Sequence, residues 1–386
     1  MNTRKLTFFI LLGMAALCCH AQRFLGGDIS LLPSYIENGT KYLDYDGKEM
    51  APLELFKQEG WNAMRVRLFV DPANASAEHK SEGVCQDLDY VVGLSKEIKK
   101  AGFKLMLDFH YSDTWADPAK QFTPKRWAGV PAGALCDSVY AYTSRVLEVM
   151  NREGVTPEMI QVGNEITFGM LWETGRVDPL KADNWDMLGA LLRAGSKACR
   201  EKCPQAKLII HTEHAQDWAS TKGYYTRLEE QKVDYDIIGL SYYPMWHGTI
   251  PHLGEVLDSL KADFAKPVMI VEAACYYSHH NDKWANSEEK ISGGYPVSIE
   301  GQREFTRQLV DELLRHDNVT GLFWWFPEEN AYGNKVIDSW LNRGLFDNAT
   351  GRALPAMKEM RRFNAPPLIP QGGEEREGQA ISKLII

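Results

Sequence analysis

The sequence lacks the features of a disulfide-stapled protein, a zinc protein or a nucleic-acid-binding protein. It has seven cysteines in 386 residues and a formal net charge of −9. The cysteines beyond the N-terminal segment are an odd, scattered set without paired zinc spacing. Two of them, Cys199 and Cys203, are four apart on a predicted helix, where buried thiols are expected and one bridge is the alternative. An acidic chain is a poor match for nucleic acid or an anionic membrane surface, which favours a neutral ligand.

Long apolar runs are also scarce, and the one that stands out lies at the N terminus. Arg4 and Lys5 precede an apolar stretch over residues 6–18, and small residues stand at the −3 and −1 positions of a cleavage before Gln22. This order is typical of a secretory signal peptide, and the stretch is too short for a comfortable membrane span. We therefore predict a signal peptide over residues 1–21 and export to the periplasm, the cell surface or the medium. A lipoprotein, with a cysteine at the end of the stretch carrying the lipid, is the alternative.

The rest of the chain alternates short β-rich runs with helical patterns, which is the signature of βα units and a parallel sheet. No glycine-rich phosphate loop follows the first strand, which argues against a dinucleotide-binding fold. Eight units predict a single (β/α)8 TIM barrel of the α/β class over residues 22–364, with a loose extension over 365–386 that is rich in Pro, Gly and Glu. The predicted strands are Phe24–Ile29, Ala63–Phe69, Lys104–Phe109, Met159–Val162, Lys207–His211, Ile237–Ser241, Val268–Val271 and Gly321–Trp325. Helices are predicted at Asp87–Ala101, Cys136–Glu153, Asp183–Lys202 and Gly301–Arg315.

Two of the apolar runs end in a carboxylate. The run over 159–163 is followed by Asn164 and Glu165, and the run over 267–271 is followed by Glu272. Because active sites of such barrels form at the C-terminal ends of the strands, we expect both acids at one rim. Two carboxyl groups so held are typical of a glycosidase. Alone, Glu165 would fit a solvated loop or a helix cap, but Asn164 beside it and the matching Glu272 favour catalysis.

Polar and aromatic side chains are predicted around the same rim. Aromatic faces stack on the C–H face of a pyranose ring, while polar groups hydrogen-bond its hydroxyls, so such a set favours a sugar ligand. The members at the ends of the remaining strands are Arg65, Arg67, Asp108, His110, Tyr111, Asp113, Trp115, His211, His214, Tyr242, Tyr243, Trp246, His247, Trp324 and Trp325.

Several of these residues also have a purely structural interpretation. Arg65 and Arg67 share one face of their strand by alternation, so either could simply pair with a core acid. His110 and His211 could be interior histidines, or metal ligands together with His214, although His211 and His214 do not share a strand face. The adjacent tryptophans of the eighth strand point to opposite faces, so one faces the barrel mouth and the other packs outside.

Three longer motifs follow the third, fourth and sixth strands. They read DFHYSDTWADP at 108–118, QVGNEIT at 161–167 and SYYPMWHG at 241–248, and the opening strands add GDIS at 27–30 and RVRL at 65–68. Together these motifs resemble the endo-β-1,4-galactanases of glycoside hydrolase family 53. The resemblance spans roughly residues 24–363, and the order and spacing of the motifs make it specific.

The resemblance implies a retaining hydrolase of the large barrel clan, with its catalytic acids after strands four and seven. By that match Glu165 is the acid/base, Glu272 is the nucleophile and Asn164 is the partner of the sugar 2-hydroxyl. The remaining implied substrate-binding residues are Arg65, His110, Trp115, His211, Tyr243 (with Tyr242 as the fallback), Trp246 and Trp325. Among them Trp325 matches the floor under the cleaved sugar.

Two departures from the family pattern affect the loops. Phe326 stands where the family usually has an acid after the eighth-strand tryptophan, and Ala273 follows Glu272 where a Thr is usual. Some members of the family hold a structural calcium between the last two long loops. Here His279, Asn281 and Asp282 offer ligands for a structural calcium, without the acid-rich spacing that calcium favours. No cofactor is expected for the chemistry.

The substrate that the resemblance implies is β-1,4-galactan or its oligosaccharides, cleaved by a protein expected to be a monomer. A mannanase, xylanase or β-glucanase of the same clan is the nearest alternative, because sequence alone does not show the curve of the cleft. A non-catalytic glycan-binding protein would need only the aromatic residues. A metal-dependent hydrolase would need three converging ligands.

Overall fold

The computed structural model describes residues 23–280 and 294–365, and these residues form one closed eight-stranded barrel. All neighbouring strands are parallel, and the last strand closes the ring against the first, from Phe24 opposite Gly321 to Asp28 opposite Trp325. The (β/α)8 prediction is therefore confirmed. The barrel strands are β1 (Phe24–Asp28), β2 (Ala63–Leu68), β3 (Lys104–Phe109), β4 (Met159–Val162), β5 (Lys207–Thr212), β6 (Ile237–Tyr242), β7 (Val268–Ala273) and β8 (Val319–Trp325).

Helices cover the outside of the barrel. Five of them begin at side-chain caps. For example, Asp87 accepts a hydrogen bond from the Tyr90 amide and Ser298 accepts one from the Gly301 amide. A small antiparallel hairpin lies between β4 and β5, and its strands, Gly169–Met170 and Gly175–Arg176, are two residues long. The helices are α1 (Leu32–Glu37), α2 (Pro52–Gln58), α3 (Ala77–Ser81), α4 (Leu88–Lys100), α5 (Ala132–Arg152), α6 (Trp185–Lys202), α7 (Trp218–Glu230), α8 (Pro244–His247), α9 (Ile250–Asp263), α10 (Ile299–Leu313) and α11 (Ala356–Arg361).

The lower half of the barrel interior is filled by apolar side chains. Side chains alternate along a strand, so every second residue points inward. The inward set is Ala63, Met106, Met159, Ile209, Ile237, Met269, Val271 and Phe323, all buried, with Phe24 closing one end. This plug makes the barrel a packed core, and it supports the polar layer that follows at the C-terminal ends of the strands.

The predicted signal peptide over 1–21 lies outside the described residues, as do the predicted calcium ligands Asn281 and Asp282 and nearly all of the predicted C-terminal extension. Among the described residues no helix is long and apolar enough to cross a membrane.

The five described cysteines are free thiols, so Cys199 and Cys203 do not form the bridge that the sequence left open. Both are buried, and burial raises the pKa of the Cys199 thiol far above its usual range. A thiol in that state is a small apolar side chain and not a nucleophile.

Candidate active site

A polar layer lies directly above the apolar plug. On β2 to β5, the residue two positions after each plug residue also points inward, because side chains alternate along a strand. These residues are Arg65, Asp108, Gln161 and His211; they lie in the barrel mouth, and all four are buried. These side chains hydrogen-bond to one another, as in the 2.7 Å bond from Gln161 Nε2 to Asp108 Oδ1. The site is therefore built on strands and not on loops, which fixes its geometry.

Arg65 is the centre of this layer. Its Nη1 atom lies 2.7 Å from Asp28, and its Nη2 atom lies 2.8 Å from Asp108 and 2.9 Å from Glu272 Oε1. Nη2 also donates to Asn164 Oδ1 at 2.7 Å. Burial alone would lower the pKa of Arg65, but the three carboxylates raise it overall, so the guanidinium stays charged.

Glu272 reaches the barrel mouth because β7 contains a bulge. Leu240 pairs with Ile270, but the next residue, Ser241, pairs with Glu272, so β7 carries one extra residue there. Without that residue, alternation would turn the Glu272 side chain away from the interior. The bulge is thus what brings Glu272 to Arg65.

The Glu272 carboxyl is held at both oxygens. Arg65 contacts Oε1 at 2.9 Å, and the Tyr243 hydroxyl donates to Oε2 at 2.7 Å. Burial is the largest influence on its pKa and raises it to about 7, although Arg65 and Tyr243 both act to lower it. The group therefore ionises near neutrality and is oriented in either protonation state.

Glu165 follows a sharp turn at the end of β4. Gly163 has φ 91°, and Glu165 itself has the left-handed backbone angles φ 45° and ψ 52°. Its Oε1 atom accepts a 2.6 Å hydrogen bond from Ser241. Burial, then the Glu272 charge, then Glu213, raise the pKa of Glu165 well above its usual range. Of the two carboxyl groups, Glu272 therefore loses its proton first.

Both acids line one cavity of about 570 Å3 at the mouth of the barrel. Seven of the nine predicted substrate-binding residues line it as well: Arg65, His110, Trp115, Asn164, Tyr243, Trp246 and Trp325. Trp246 is 58% exposed and stands at the rim. The structure thus brings acids, polar donors and aromatic faces into one space, which is the composition that a carbohydrate requires.

His211 and Tyr242 do not line the cavity. His211 is fully buried and contacts Ser241 Oγ at 2.8 Å and Gln161 Nε2 at 2.9 Å, and burial lowers its pKa well below the usual range. Tyr242 points outward, stacks on Phe305 and donates to the Gly248 carbonyl at 2.9 Å. Alternation separates it from Tyr243, which is the tyrosine that contacts Glu272.

Several cavity residues were not singled out from the sequence. Glu213 follows β5 and accepts a hydrogen bond from Thr167, in the turn directly after Glu165. Trp340 and Arg343 lie in the long segment after β8, where no periodic pattern marks them. Glu213 could have been found by alternation, since it stands two residues beyond His211 on the inward face.

Phe326 replaces the acid of the family pattern and has φ 58°. Its ring lies 4.4 Å from the Arg67 guanidinium carbon, with Trp115 at 4.6 Å on that group. Arg67 pairs with Asp28 through Nη1 at 3.0 Å. Aromatic faces therefore contact the guanidinium where the family pattern has a carboxylate.

The predicted calcium site lies largely outside the described residues and stays a prediction. Within them no group of three His, Cys, Asp or Glu side chains is arranged to hold a metal ion. His279 is described, whereas its predicted partners at 281 and 282 are not. His110 Nε2 lies 3.1 Å from Asp108 and His211 Nε2 lies 2.8 Å from Ser241, and neither histidine is part of a described metal-binding group with His214.

The chain has clear relatives in sequence. The family model described as glycosyl hydrolase family 53 matches residues 24–360. The endo-β-1,4-galactanase of Bacillus subtilis is 33% identical over 81% of this chain and 71% of its own length. An uncharacterised protein of Niallia circulans is 35% identical over 84% of this chain and 89% of its own.

A solved structure has the same barrel. The Ignisphaera aggregans GH53 catalytic domain superimposes with a TM-score of 0.80 and 32% identity, covering 89% of this chain and 96% of that domain. The family model, the relatives and the barrel mouth described above agree with the motifs in the sequence. This chain therefore belongs to glycosyl hydrolase family 53 and is a glycoside hydrolase, whose chemistry needs no cofactor.

Proposed function

We propose that this protein is an exported endo-β-1,4-galactanase that cleaves internal bonds of galactan with retention of configuration. The observation that carries the proposal is the pair of acids at the ends of β4 and β7, which line one cavity in different surroundings. Glu272 is held by a cation and a phenol, while Glu165 accepts one serine hydroxyl. The galactan substrate is supported by the names of relatives such as the Bacillus subtilis enzyme. Export is supported by the signal-peptide pattern over residues 1–21.

Retention is supported by the connection through Ser241. This serine is the cross-strand partner of Glu272, and such neighbours on adjacent strands lie about 4.8 Å apart. Its hydroxyl is also 2.6 Å from Glu165 Oε1. A retaining enzyme needs its carboxyl groups about 5–5.5 Å apart, whereas an inverting enzyme needs about 6.5–9.5 Å to admit a water. Ser241 therefore contacts one carboxyl group and stands beside the residue that carries the other, which is why we propose the shorter separation.

In the first step Glu272, ionised, attacks the anomeric carbon, and Glu165 donates its proton to the departing oxygen. The bond from the anomeric carbon to that oxygen breaks, and an ester to Glu272 forms. The pKa order fits these roles, because Glu272 ionises first and its charge helps to keep Glu165 protonated.

In the second step Glu165 acts as a base. Esterification removes the negative charge of Glu272, so one cause of the raised pKa of Glu165 disappears. Glu165 then accepts a proton from a water molecule that attacks the anomeric carbon. The ester bond breaks, Glu272 returns as a carboxylate held by Arg65 and Tyr243, and Glu165 is protonated again.

The neighbouring side chains orient the sugar in this scheme. Asn164 is fixed through its Nδ2, which donates to the Ala116 carbonyl at 2.8 Å, and through its Oδ1, which accepts from Arg65. It is the proposed partner of the 2-hydroxyl, a contact that strengthens at the transition state. Trp325 offers an aromatic face for the cleaved sugar.

The test combines a substrate panel with product stereochemistry. Reducing-end release would be measured on galactan, mannan, xylan and cellulose, and the anomer formed first on galactan would be read by proton NMR. We expect rapid release from galactan alone, with the β-anomer first, and full activity in EDTA. Preference for another polymer would identify a different glycosidase of the clan, an α-anomer would exclude double displacement, and no release from any polymer would leave a glycan-binding protein.

A further inference from the structure

One cation of the cavity wall has no carboxylate partner. Arg343, in the segment after β8, is 7% exposed and lines the cavity. Its Nε atom donates to Asn342 Oδ1 at 2.9 Å and its Nη2 atom to the Tyr276 hydroxyl at 2.6 Å. Both acceptors are neutral. In the described part of the chain no carboxylate oxygen lies within 4.0 Å of the guanidinium.

The other cations of the same cavity are paired. Arg65 contacts three carboxylates, Arg67 contacts Asp28, and Lys120 contacts Asp117. Removing a cation from water is costly unless an anion compensates it, so a nearly buried Arg is ordinarily paired. Among the described cavity cations, Arg343 is the exception.

Two acids near Arg343 do not pair with it. Glu329 interacts with Arg343 at longer range, but it is fully buried and neither of its carboxyl oxygens has a hydrogen-bond partner. Burial raises the pKa of Glu329 well above its usual range, which favours the neutral form of this carboxyl. Glu82, on the same wall, lies beyond 4.0 Å.

The guanidinium is oriented toward the cavity by aromatic rings. Its carbon atom lies 4.5 Å from the centre of the Tyr276 ring, 5.1 Å from Trp340 and 5.3 Å from Trp325. Its Nη1 atom donates to no described residue and is not among the buried atoms that lack a partner, so it remains reachable. A planar guanidinium held with a free N–H is suited to an acidic oxygen.

We propose that Arg343, with Trp340 and Tyr276, forms a subsite for a sugar that carries a carboxylate, next to the subsite of the cleaved sugar. The subsite lies on the β7–β8 side of the cavity, across from Glu165. Glu165 donates its proton to the leaving sugar. The uronate therefore belongs to the non-reducing side of the cleaved bond. This inference rests on the proposed galactanase function and assigns it a preferred substrate class, a galactan chain bearing uronic acid.

The test compares an acid with its neutral ester. The substrates are a β-1,4-galacto-oligosaccharide whose non-reducing terminal residue is oxidised to a carboxylate at C6, and the same compound as its methyl ester. For each enzyme the ratio of kcat/KM for the acid to that for the ester is measured. We expect a ratio of about 10 or more for the wild type, falling at high ionic strength, and a ratio at least tenfold lower for Arg343→Gln.

The ratio separates this inference from the galactanase proposal. If the wild type cleaves plain galacto-oligosaccharides but prefers the ester, the uronate subsite is refuted while the galactanase function stands. Equal loss of both substrates in Arg343→Gln would also refute it, because a hydroxyl-binding or folding role lowers both. Arg315→Gln, at an exposed residue of the segment after α10, is the matched control and should keep the wild-type ratio.

Discussion

The Ser241 hydroxyl donates a 2.6 Å hydrogen bond to Oε1 of Glu165. The serine is itself contacted by the fully buried His211, whose Nε2 atom lies 2.8 Å away. The Nδ1 atom of that histidine accepts from the Glu165 backbone amide at 3.3 Å, so Nε2 carries the proton and donates. The direction of the Glu165 carboxyl therefore depends on side chains that do not line the cavity.

Ser241→Ala should lower kcat/KM about 10- to 100-fold, because the proton donor loses its orientation. The serine hydrogen bond lowers the pKa of Glu165, so its loss should also move the alkaline limb of the pH profile to higher pH. A pH series of kcat/KM measures both effects. Ser95, on α4, carries a buried hydroxyl that has no hydrogen-bond partner. Ser95→Ala is therefore the control and should change neither kcat/KM nor the alkaline limb. An alkaline limb that moves to lower pH would contradict the assignment.

Glu272→Ala should abolish turnover, and added azide should restore it with a product of inverted configuration. The small anion occupies the space of the missing carboxylate and attacks the anomeric carbon once. Product stereochemistry by NMR provides the measurement. Glu165→Ala serves as the counterpart: it should keep partial action on an aryl galactoside with a good leaving group. Full activity of Glu165→Gln on polysaccharide would show that another residue is the acid.

Glu213→Gln should move the alkaline limb of kcat/KM to lower pH. Glu213 has a pKa of about 7, raised by burial, and its charge is one cause of the raised pKa of Glu165. A neutral amide removes that contribution, so Glu165 loses its proton earlier as the pH rises. Glu153→Gln, at a surface acid paired with Lys96, is the control. An unchanged profile would mean that Glu213 does not influence the acid.

Glu329→Gln should weaken the dependence of stability on pH. Burial raises the pKa of Glu328 to about 8 and that of Glu329 well above its usual range, so the fold retains protons that the unfolded chain releases above about pH 4.3. Stability therefore falls as the pH rises from there toward 8, by up to about 1.4 kcal/mol per pH unit for each group.

Urea unfolding at pH 5, 6, 7 and 8 measures that slope. The variant is neutral at every pH and should show a smaller slope than the wild type, whatever its stability at pH 5. Glu97→Gln, at an exposed acid on α4, should retain the wild-type slope. A wild-type slope in Glu329→Gln would show that this acid is ionised in the folded protein.

The strands were largely predictable because a parallel barrel buries both faces of each strand, and continuous apolar runs reveal them. β3 and β4 begin and end at the predicted residues, whereas β8 begins at Val319 and not at Gly321, since a threonine interrupts the apolar run. α5 begins at Ala132 and not at Cys136, because Ala and Gly in its first turn carry no apolar periodicity.

The site was less predictable where the backbone departs from regular alternation. A period of two would turn Glu272 away from Arg65, and the bulge in β7 that corrects this leaves no mark in the sequence. Arg343 and Trp340 come from an irregular segment, where position in sequence says little about position in space. Alternation alone does predict that Tyr243, and not Tyr242, faces the barrel mouth.

The backbone at Glu165 has a consequence for engineering. An L-residue with φ 45° and ψ 52° is strained by roughly 1–2 kcal/mol, and glycine is not. Glu165→Gly would relieve this backbone strain, but it deletes the group proposed to move the proton. A selection for thermal stability that does not measure turnover would therefore favour a more stable but inactive variant at this position.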